Sequence, residues 1–158
     1  MSSARSSIAG LAVAIALIAH VAPAESAGPH RLAVLVASTW QDDSSVHADV
    51  MATYHVLRQR GFAPDELMVL SGPLTRTVLL AFLHDVHRRI ASWEAGEVWL
   101  SYSGHGFYAG KTAADARPGL LLTGDPLPPG PEQQVFWDEV FAALGVPSTV
   151  LLTLLPDC

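Results

Sequence analysis

The stretch Val98–Gly106, VWLSYSGHG, sets a strand-forming run against a histidine held between two glycines. Val98, Trp99, Leu100 and Tyr102 are residue types that suit a buried, pleated surface. Gly104 and Gly106 let the chain turn sharply and allow another backbone to come close. A histidine delivered at a strand end is a candidate functional group, because open α/β sheets collect their chemistry beyond the carboxyl ends of their strands. The plain alternative is a turn histidine.

The same strand-then-helix pattern recurs outward from this point. RLAVLVAS (Arg31–Ser38) reads as a short buried strand. Ser44 or Ser45 caps a helix from about Val46 to Arg60, with Ala48, Met51, Ala52, Tyr54, His55 and Leu57 as its apolar stripe and Gly61 as its stop. DELMVLSG supplies a second strand near Glu66–Leu70. Thr75 or Thr77 opens a longer helix to about Trp93, with Val78, Phe82, Val86 and Ile90 at four-residue spacing. GEVWLSYSG is the third strand. FYAGKTAADARPG reads as an irregular loop, LLLTGD as a short strand or hairpin arm, and PLPPGP as a linker. Glu132–Leu144 reads as an amphipathic helix stopped by Gly145, and STVLLTLLPDC as the fourth main strand, ending at Cys158. Strands alternating with helices predict an α/β fold: a three-layer α-β-α sandwich around a mostly parallel sheet.

Composition narrows the function classes. The chain has 158 residues, enough for one domain with a real core, and half of them are hydrophobic. A formal charge of −6 without a basic run leaves no electrostatic footprint for nucleic acid. Residues 1–27 have the layout of a secretory signal: Arg5, an apolar run from Ile8 to Ala19, then Ala22-Pro23-Ala24. The run is short for a membrane span, although an uncleaved anchor is the competing reading. The expected location is therefore periplasmic or extracellular, with residues 30–158 forming the exported domain. A single cysteine forms no internal disulfide and no cysteine-rich metal site.

Parallel strands share one carboxyl edge. The third delivers His105 there and the fourth delivers Cys158. If these strands are neighbours, roughly 5 Å apart, imidazole and thiol meet as a dyad suited to attack on an amide carbonyl. The backbone N–H groups of Gly106 and Cys158 are the expected oxyanion donors. The bland reading of Cys158 is an ordinary exposed thiol. His84 and His87 sit one helical turn apart but have no evident third ligand, and Asp42 and Asp43 lack calcium-loop spacing. No metal or cofactor is expected. Ser103 is not in a Gly-x-Ser-x-Gly setting, which argues against a serine hydrolase.

WLSYSGHG resembles the histidine motif of caspase-like cysteine peptidases, a group that includes caspases, paracaspases and metacaspases. The hydrophobic strand ending in Asp157-Cys158 resembles their nucleophile motif. The segment HADVMATYHVLRQRGFAPDELMVLSG is similar to the first helix and second strand of these enzymes and of legumain-like peptidases. The resemblance spans Arg31–Cys158. It implies a caspase-like catalytic domain, with His105 as general acid/base, Cys158 as nucleophile and a protein or peptide as substrate. Asp157 is a candidate substrate-binding residue, but many metacaspase-like members carry the acid two residues before the nucleophile, where this chain has Pro156. The family continues past the cysteine into further strands, so the resemblance implies a truncated catalytic unit. Cys158 would stand beside a carboxylate that disfavours a thiolate. Activity would then need a separate chain supplying the C-terminal half. The alternatives are an inactive caspase-like module that acts by protein binding, and a legumain-like peptidase.

Overall fold

The computed structural model describes residues 30–39, 45–122 and 129–157. The expected signal segment, Asp42, Asp43, Ser44 and Cys158 lie outside the described residues. The first strand, β1 (His30–Ser38), is nearly all apolar because it is covered on both faces. Leu32, Val34 and Val36 point into one core, and Ala33, Leu35 and Ala37 into another. Helix α1 (Ser45–Gln59) follows and closes the second core with Val50 and Leu57. The stripe is thus centred on Val50 and Leu57, with Val46 and Tyr54 beside them. Ala48, Ala52 and His55, which the sequence reading placed on it, are exposed. Gly61 ends the turn at φ 86°, and the N–H of Phe62 reaches back to the Leu57 carbonyl at 3.1 Å.

Strand β2 (Leu67–Gly72) leads to α2 (Arg76–Ile90), whose N-cap is Thr75: its hydroxyl accepts from the Val78 N–H at 3.3 Å. The buried stripe of α2 is Leu79, Leu83, Val86 and Ile90. Val78, expected on that stripe, is exposed, and Phe82 is only partly buried. Strand β3 (Gly96–Ser103) follows. The final strand of the main sheet is β7 (Val150–Asp157).

The four strands are ordered β2-β1-β3-β7, and all three pairings are parallel. Helix α1 packs on one face. Helix α2 and α3 (Trp137–Leu144) pack on the other. The chain is therefore a mixed α/β protein with helices on both sides of a mostly parallel sheet.

Two stretches between β3 and β7 depart from expectation. The loop beginning at Phe107 is a hairpin: β4 (His105–Ala109) pairs antiparallel with β5 (Arg117–Leu121). Pro118 is tolerated because β6 (Gln134–Phe136) pairs only with Gly119–Leu121, so that among the described residues no strand pairs with Pro118 on that side. The expected helix from Glu132 begins only at Trp137. Gln134–Phe136 instead forms β6, with Val135 fully buried and its neighbours half-buried, a period-2 pattern that burial against β5 selects. Glu139 caps α3 by accepting from the Phe136 N–H at 3.0 Å, and Gly145 ends it at φ 48°.

Candidate active site

Strands β3 and β7 are neighbours along their whole length, from Gly96 opposite Val150 to Ser103 opposite Asp157. Their carboxyl ends therefore reach the same edge at the same level. One residue further, the Gly104 N–H donates to the Asp157 carbonyl at 3.1 Å. Gly104 is covalently followed by His105 and Asp157 by Cys158.

Gly104 is required by crowding. A Cβ there would stand 2.6 Å from the Tyr102 hydroxyl and 3.2 Å from the Ser38 carbonyl oxygen. After it the chain leaves the parallel sheet and enters β4 at once. His105 is the first residue of that strand, opposite Leu121, and is exposed. Gly106 is also exposed and lies within β4, opposite Leu120, rather than in a free loop.

Tyr102 joins the two sheets. It is 1% exposed, and its ring faces the α2/α3 side. Its hydroxyl donates to the carbonyl oxygens of His105 and Leu121, each at 3.1 Å, as a shared bond. The Ser38 hydroxyl at the tip of β1 donates to the Leu122 carbonyl. Two buried hydroxyls thus dock the hairpin onto the strand tips. The reading of the sequence missed both roles. The available signal was a tyrosine in a buried strand, whose O–H must find an acceptor when its ring is covered.

Asp157 is exposed. Its register position shares the α1 side with Ser103 and Ala37. On that side the Ser103 hydroxyl donates to the Asp49 carboxylate at 3.4 Å, and His47 Nδ1 lies 2.8 Å from Ser71 Oγ. Asp49 and His47, from the first turns of α1, are further polar groups at this edge that the sequence reading did not assign to it. His87 has a structural partner, the Gly145 carbonyl at 3.2 Å, while His84 is exposed on α2. Among the described residues, no group of three or more His, Cys, Asp or Glu is arranged to hold a metal ion, and no helix is long and apolar enough to cross a membrane.

The arrangement defines an α/β protein whose exposed histidine sits at the carboxyl edge of a parallel sheet. Compared with known proteins, the chain matches no family model and no curated sequence.

Proposed function

We propose that this chain is an exported cysteine-type endopeptidase of the caspase-like class, acting through His105 and Cys158. The observation that carries the reading is the 3.1 Å bond from the Gly104 N–H to the Asp157 carbonyl, which joins the residues immediately preceding the two reactive side chains. In this reading the Cys158 thiolate attacks the scissile carbonyl carbon. The oxyanion forms against the backbone N–H groups of Gly106 and Cys158. The His105 imidazolium protonates the departing amine, leaving a thioester. Water, deprotonated by His105, then attacks the thioester, releasing the acid and the thiol. Asp157 is proposed to contact substrate from the α1 side, together with the polar groups around Asp49.

A non-catalytic, protein-binding module of the same class is favoured by a different observation. Leu151, Leu154 and Leu155 of β7 are exposed at 62%, 38% and 41%. A separate polypeptide covering β7 would serve either reading.

A peptidyl electrophile that reacts with activated thiols separates the two. Cys158 is the sole cysteine, so its loss abolishes labelling trivially, and the decisive control is His105→Ala. The peptidase reading expects that variant to label on the order of a hundredfold more slowly than the wild type. Equal rates in the two proteins would remove it. A peptide library then distinguishes a legumain-like asparagine preference from basic or acidic preference.

A further inference from the structure

We infer that Tyr102 is a positioning residue for His105: its hydroxyl sets the backbone from which the imidazole projects and the first residue pair of the β4–β5 hairpin. The inference rests on the peptidase reading for its catalytic consequence, but the positioning itself is a property of the fold. His105 is exposed and is the first residue of its strand. The chain also changes direction at Gly104, the residue type with the greatest backbone freedom. A reactive group on such a pivot needs an anchor inside the protein. Tyr102 supplies one. Its ring is held in the core of α2 and α3 beside Leu100 and Leu120, and its Oη lies 3.1 Å from both the His105 and the Leu121 carbonyl oxygens. His105 and Leu121 are the pair at which the hairpin leaves the main sheet. One hydroxyl therefore fixes both chains at that pair. Gly104 permits this by having no Cβ, since one would stand 2.6 Å from the same oxygen.

The anchor acts on orientation, and Ser38 provides the comparison. The Ser38 hydroxyl is buried at the same junction, yet it bonds to Leu122, beyond the His105–Leu121 pair. Tyr102→Phe keeps the ring and removes the hydroxyl. Ser38→Ala removes the other dock. Two readouts are needed: the NMR shifts of the His105 ring in isotope-labelled protein, and thiol acylation by the peptidyl electrophile resolved into a binding constant and a rate. Tyr102→Phe is expected to shift the His105 ring resonances towards those of a solvent-averaged histidine. It should slow acylation about tenfold with little change in the binding constant. Ser38→Ala should lower the melting temperature to a comparable extent and leave the His105 resonances in place. His105 resonances unchanged in Tyr102→Phe, or changed equally in both variants, would overturn the inference. If acylation in the wild type does not depend on His105, the peptidase reading fails, while the ring shifts still decide whether Tyr102 positions the histidine.

Discussion

At the scale of single residues, Gly104 carries more of the architecture than the histidine it precedes. It lies between the last residue of β3 and the first of β4, and its N–H ties β3 to β7. Gly104→Ala would put a methyl group against the Tyr102 hydroxyl and the Ser38 carbonyl. The expected cost is about 1–3 kcal/mol, the usual range for overpacking. Urea denaturation would check it, and an unchanged midpoint would mean that the junction relaxes freely. Tyr102 shows why a sequence reading misses such residues. The strand pattern puts it on a buried face, but its acceptors belong to segments that reach it only after the hairpin docks.

At the scale of elements, the two long helices were placed correctly along the chain, and their buried faces were read only in part: Leu57, Val86 and Ile90 are buried as expected, whereas Ala48, Ala52, His55 and Val78 are exposed. On α2 the expected stripe holds at Val86 and Ile90, but in the first two turns Leu79 and Leu83 are buried in place of Val78 and Phe82, a choice made by packing against the core and not by local spacing. Leu83→Ala is therefore expected to cost about 2–5 kcal/mol, and Val78→Ala to stay within about 0.5 kcal/mol; thermal unfolding of the pair would distinguish them. Between α2 and α3 runs a two-pronged ion pair, Arg76 to Glu139 at 2.8 and 2.5 Å. The Arg76 side chain, with help from the Phe136 N–H, holds the Glu139 carboxyl down to about 2, against an ordinary value of 4.5. A depressed acid contributes stability that is fully present above its unfolded value and is lost as pH falls towards the folded one. Glu139→Gln should accordingly flatten the fall in melting temperature between about pH 4.5 and 2 while changing its slope little above pH 6. An unaltered acid limb would show that the pair does not couple to folding.

At the scale of the whole molecule, the parallel sheet is covered unevenly. Helix α1 packs against β1, β2 and β3, leaving Leu151 and Leu155 of β7 exposed on a strand with no second neighbour among the described residues. The run Val150–Leu155 has neither charge nor proline, the usual protections of a sheet edge. Leu151→Lys is expected to reduce self-association in light scattering without lowering the melting temperature appreciably. An identical association profile would show that this face is not adhesive.

The sequence by itself determined the alternation of strands and helices, the parallel sense of the main sheet, and the two strands, β3 and β7, that end just before residues 105 and 158 of the sequence and prove to be neighbours. Local patterns encode these features: apolar runs, capping residues such as Thr75, and stops such as Gly61 and Gly145. Only the tertiary structure decided which helix faces are buried, that Gln134–Phe136 is strand rather than helix, and that the stretch after His105 folds into a hairpin. Segments with mixed propensity take the conformation that their neighbours reward, through burial of Val135 against β5 and through the buried hydroxyls of Ser38 and Tyr102. Those partners are distant in the chain, so no local window of sequence contains the information.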